Sequence, residues 1–149
     1  MHFFKWFNMK KHVLIILAVL LLVSFSSAVF AGEFNNTLVP GLNITDDVDL
    51  AFNASKSQNR PLIIIFDQDS CVYCDIFKQE VLSNVDVQNQ LNENFVVLLV
   101  DVNRHPDIAQ KYSIFGTPTV IFLDSAGKII NKIEGCPDAS GFLNVIKGI

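Results

Sequence analysis

Chemistry needs reactive groups, and Cys71-Val72-Tyr73-Cys74 supplies two thiols three residues apart. The apolar run Leu62–Phe66 ends abruptly in Asp67, Gln68, Asp69 and Ser70, and after the cysteines Ile76, Phe77 and Val81 recur at helical spacing. This reads as strand, tight loop and helix, with both thiols in the first helical turn. Free backbone amides and the helix dipole favour a thiolate at that position, and the thiolate is the form that attacks. Cys71 is therefore read as the nucleophile toward a disulfide. Cys74, one turn in, is read as the thiol that resolves the mixed disulfide. Two other readings fit the same pair, a permanent bridge and half of a zinc site. Zinc takes about four ligands, and after residue 31 the chain offers only Cys136 and His105 beyond this pair, so no metal or other cofactor is assigned. Asp67, Asp69 and Asp75 read as solvated loop and cap residues, with Ser70 or Asp69 capping the helix. His105 reads as a cap or surface residue.

The elements that must hold this stretch follow from pattern. Residues 32–44 are polar and broken by Pro40-Gly41, a linker or a loosely held first strand. Thr45, followed by Asp46, Asp47 and Asp49, looks like a helix start, with Val48, Ala51 and Phe52 on one face, and Arg60-Pro61 ends it. Leu62–Phe66 and Phe95–Val100 are continuous apolar runs, as strands covered on both faces require. The segment Asn84–Asn94 between them reads as a helix with Val87 and Leu91 inward, so the two strands should be parallel with a right-handed connection. Pro106 suits the first position of a short helix. Thr119–Leu123 and Lys128–Glu134 are separated only by a turn and should pair antiparallel. Phe142, Leu143 and Ile146 mark a last helix. The sum is a single α/β domain over residues 45–149, a mixed four-stranded sheet with helices on both faces.

That order, with Cys71-Val72-Tyr73-Cys74 after the first strong strand and Phe115-Gly116-Thr117-Pro118-Thr119 before the third, resembles the thioredoxin family from about Thr45 to Ile146. Val100-Asp101 and Asp124-Ser125-Ala126-Gly127-Lys128 fall in register with it. The resemblance implies a thioredoxin-like three-layer fold and a thiol-disulfide oxidoreductase. It also implies a cis-proline at Thr117-Pro118 facing the cysteines, where the backbone pairs with a substrate chain. Val72, Tyr73, Thr117 and Pro118 are accordingly assigned to substrate binding. Cys136, after Gly135, would border the substrate groove as an accessory thiol, or stand as a free thiol without a role. The chain departs from ordinary thioredoxin in three places: Ser70 replaces a Trp, Val72-Tyr73 replaces Gly-Pro, and Ile65 replaces a buried acid.

The first 31 residues carry Lys5, Lys10 and Lys11, no acid, an uncharged stretch from Val13 and small residues at Val29 and Ala31. A cleaved secretory signal fits, and so does an uncleaved anchor attaching the domain to a membrane through residues 13–31. Either places the domain outside the cytoplasm, where a disulfide persists. Past residue 31 all 15 acids remain with 8 of the 11 basic residues, a balance of about −7. This argues against a nucleic-acid surface, which needs clustered Lys and Arg. The expected partners are protein disulfides or dithiols, with a second redox protein for recycling.

Overall fold

The computed structural model describes Phe34 and residues 37–149; the signal or anchor expected in residues 1–31 lies outside the described residues. Among the described residues no helix is long and apolar enough to cross a membrane. In chain order the elements are β1 (Ile44–Thr45), α1 (Val48–Gln58), β2 (Leu62–Asp67), and α2 (Val72–Ile76), which runs into a π-helical turn (Phe77–Leu82). There follow α3 (Val85–Asn94), β3 (Val96–Asp101), α4 (Pro106–Lys111), β4 (Thr119–Leu123), β5 (Ile129–Glu134) and α5 (Ala139–Lys147).

The strands form one sheet in the order β1-β3-β2-β4-β5. β2 and β3 are parallel, with Ile65 opposite Leu99, while β4 runs antiparallel to both β2 and β5. Successive side chains of a strand face opposite sides of its sheet, so a strand buried on both faces must be apolar at every position. β2 is such a strand. Ile63 and Ile65 join Phe77, Val81, Leu91 and Phe142 on one face. Leu62, Ile64 and Phe66 join Ala51, Leu98 and Tyr112 on the other. Phe142 of α5 meets Phe77 edge-on at 5.3 Å between centroids, which ties the last helix to the π turn behind the cysteines. β5 is the edge strand opposite β1, largely exposed and interrupted by Asn131 and Lys132, polar residues of the kind that discourage pairing with another chain.

The sheet has five strands where the sequence suggested four. The extra one, β1, is two residues long and pairs in parallel with β3, Ile44 opposite Val97. It is too short to show any alternation. The preceding stretch, expected as a linker or a loose strand, packs into the domain: Val39, Leu42 and Ile44 are buried. Full burial of side chains this size contributes about 1.5–3 kcal/mol each. Polar residues of α3 hold it from outside, Gln88 Nε2 donating to the Pro40 carbonyl (2.8 Å) and Asn92 Nδ2 to that of Gly41 (2.9 Å). The α1 cap also differs. Asp47 caps the helix, accepting from the Leu50 N–H at 2.9 Å, because Thr45 is held in the β1 ladder opposite Leu98.

Candidate active site

β2 delivers the chain to the site and Ser70 turns it. Ser70 lies in the left-handed region at φ +62°. Cys71 follows in an extended conformation as the N-cap of α2, so the cap is a cysteine and neither Ser70 nor Asp69. The Cys74 N–H donates to Cys71 Sγ at 3.1 Å, satisfying one of the amides a helix start leaves free. Cys71 and Cys74 are bridged, with Cα atoms 5.2 Å apart. Cys71 is half-buried and Cys74 buried, while Val72 and Tyr73 between them are 70% and 66% exposed. The reachable sulfur is therefore that of Cys71.

The loop before β4 closes over this sulfur. The Thr117–Pro118 peptide bond is cis. Thr117 Oγ1 donates to Cys71 Sγ at 3.4 Å, and the Thr117 carbonyl oxygen lies 3.5 Å from the same atom. The Pro118 carbonyl accepts from the Gly135 N–H at 2.9 Å, joining this loop to the end of β5, where Cys136 follows. Cys136 is the free cysteine. It lines a groove of about 350 Å³ together with Tyr73, Ile76, Glu80 and Asp138. Burial, and secondarily the charge of Glu80, push the Cys136 thiol up from its ordinary value.

The acids flanking the cysteines are not all solvated, as the sequence suggested. Asp67, with its side chain 14% exposed, accepts from Lys78 Nζ at 2.8 Å, and Asp75 lies 3.4 Å from the same nitrogen. Burial alone would lower the Lys78 pKa, but the hydrogen bonds and charges of Asp67 and then Asp75 outweigh it and raise it. The Asn103 N–H holds the Asp101 carboxyl low against the cost of burial, and Arg104 assists. His105 occupies the N-cap position of α4 without a side-chain cap bond. Sequence reading missed Lys78, Glu80 and the exposure of Phe115, which at 94% is almost fully in solvent. Only Lys78 left a signal, its i+3 spacing from Asp75. Ile65 is buried in the sheet core, so no carboxylate stands at that position behind the disulfide.

A family model described as "Thioredoxin-like domain" matches residues 48–148. The chain belongs to this family. It is 29% identical over 162 aligned positions to the "Thiol:disulfide interchange protein DsbD" of Yersinia pestis (strain Pestoides F), an alignment that covers 95% of this chain and 27% of that protein. The chain thus spans about a quarter of that curated relative. Among solved structures, a thioredoxin from Thermus thermophilus superposes with a TM-score of 0.66 at 26% identity, covering 72% of this chain and 86% of that one. The oxidised C-terminal domain of Neisseria meningitidis DsbD gives 0.59 at 23%, covering 67% and 90%, a likeness of fold. In a thioredoxin-like domain, a CxxC pair at bridging distance supports thiol-disulfide exchange.

Proposed function

We propose that the domain reduces, or relays electrons to, protein disulfides outside the cytoplasm, with Cys71 as nucleophile and Cys74 as resolving thiol. The observation that carries this is the setting of Cys71 Sγ: half-buried at a helix start, facing two hydrogen-bond donors, the Cys74 N–H and Thr117 Oγ1. On reduction these donors and the helix dipole favour the thiolate.

The Cys71 thiolate attacks one sulfur of a partner disulfide. That S–S bond breaks, the other partner sulfur leaves as a thiolate and takes a proton, and a mixed disulfide remains. Cys74 gives up its proton and attacks Cys71 Sγ; the second partner thiol leaves, and the Cys71–Cys74 bridge forms. Two electrons and two protons pass to the partner, and a second redox protein restores the dithiol. Thr117 and Pro118 hold the partner backbone beside Cys71, and Val72 and Tyr73 offer it exposed side chains. Similarity to proteins described as thiol:disulfide interchange proteins supports partners of this kind, and the basic, then apolar, residues 1–31 support placement outside the cytoplasm.

Replacing Cys74 with Ser should halt the reaction at the mixed disulfide and trap partners on Cys71, while the unaltered domain reduces insulin. No trapped species and no turnover would leave the bridge as structure. Equilibration with glutathione tests direction. The reductant reading expects a potential below about −180 mV, and a value near −120 mV, that of a strong oxidant, would overturn it.

A further inference from the structure

We propose that Phe115 is a specificity-determining residue, recognising protein partners that carry an apolar side chain next to the exchanging cysteine. This rests on the exchange reading above. Single exposed apolar residues are ordinary; what matters here is where they gather. Four large apolar residues among those described are more than 60% exposed: Phe115, Val72, Tyr73 and Val85. Val72 and Tyr73 lie between the cysteines. Phe115 is two residues before Thr117, whose side chain touches Cys71 Sγ, so its Cα lies within about 7 Å of the Thr117 Cα.

The disulfide thus has exposed apolar side chains between its cysteines, and an exposed Phe115 two residues along the loop that touches Cys71 Sγ. Between Phe115 and Thr117 stands Gly116, where an added Cβ would meet nothing within 4 Å. The approach across that step is open. A ring 94% exposed adds almost nothing to the core, yet is large enough to bury about 150 Å² or more against a partner. A partner presenting its cysteine to Cys71 lies along this loop, and the side chain beside its cysteine meets Phe115. A small disulfide has no such side chain and reaches the sulfur without touching the ring.

The experiment compares unaltered domain, Phe115→Ser and Phe115→Leu on three substrates: hydroxyethyl disulfide, a peptide disulfide with Leu beside the cysteine, and the same peptide with Ser there. Phe115→Ser should keep its melting temperature and its rate on hydroxyethyl disulfide. Its kcat/KM on the Leu peptide should fall about tenfold through KM, to near the Ser-peptide value, as loss of an interface anchor does. Phe115→Leu should recover most of it. An equal loss on all three substrates, or none on the Leu peptide, would overturn the proposal. An unaltered domain inert toward all three disulfides would instead sink the exchange reading, and this proposal with it.

Discussion

Cys71 and Cys136 are thiols of the same domain, linked through the Thr117–Pro118 loop and its bond to Gly135, yet only Cys71 has hydrogen-bond donors at its sulfur. Cys71 Sγ faces two donors, the Cys74 N–H at 3.1 Å and Thr117 Oγ1 at 3.4 Å, beside one acceptor, the Thr117 carbonyl at 3.5 Å. Cys136 Sγ faces an acceptor, the Pro137 carbonyl at 3.7 Å, in a partly buried place near the carboxylate of Glu80. Donors stabilise a thiolate; burial, acceptors and a like charge keep the proton on sulfur. The acids near each cysteine differ as well. Lys78 pairs with both Asp67 and Asp75, whereas Glu80 makes no ion pair among the described residues. Reactivity is thus assigned by neighbours that the local sequence barely distinguishes.

The largest effect should come from exchanging the two cysteines' fates. Cys71→Ser should bring insulin reduction down to the uncatalysed background. Cys136→Ser should keep it within about twofold, because dithiol exchange needs only the attacking and resolving thiols. A Cys136→Ser protein that melts normally but has lost its activity would erase the contrast and make Cys136 part of the exchange.

Lys78→Met tests the ion-paired side. The substitution leaves Asp67 half-buried without its cation, and loss of a charge-assisted bond at such a site costs about 1–2 kcal/mol. The Lys78 pKa is raised in the folded protein, so its contribution is fully present below the unfolded value of about 10.4 and disappears as pH rises through the folded value. Urea unfolding of both proteins should show a gap that is constant from neutral pH to about 9 and closes above about 10.5. A gap that persisted unchanged at high pH would mean that Lys78 acts by packing its stem and not by charge.

The parts of this site that could be read from sequence are those in which one short stretch carries the signal. The cysteines after the apolar run to Phe66 and Thr117-Pro118 before Thr119 are of that kind. So are β2, β3 and β4, whose burial on two faces forces continuous apolar runs, broken only by Asp67, Asp101 and Thr119 at their ends. What stayed hidden depends on tertiary meeting. Asp67 and Lys78 are eleven residues apart, on a strand end and a π turn, and nothing local says that they touch. β1 is held by its ladder to β3 and by Gln88 and Asn92, about fifty residues away. The helix cap went to Cys71 because Ser70 takes the left-handed turn, a backbone choice that neighbouring polar residues do not announce.

The smallest effect concerns Glu80, and it tests the cause of the contrast. In the oxidised protein Cys71 and Cys74 are bridged, leaving Cys136 as the described thiol open to alkylation. Iodoacetamide carries no charge, so Glu80 cannot steer it and acts only through the thiolate fraction. Burial is the larger reason for the raised Cys136 pKa and Glu80 the smaller. Glu80→Gln should therefore lower that pKa only in part, since burial remains. At pH 8 the alkylation rate should rise about two- to threefold, and the rate-against-pH curve should move toward lower pH. An unmoved curve would assign the suppressed reactivity of Cys136 to burial alone. The difference from Cys71 would then lie in the donors at the helix start rather than in the charges around the two sulfurs.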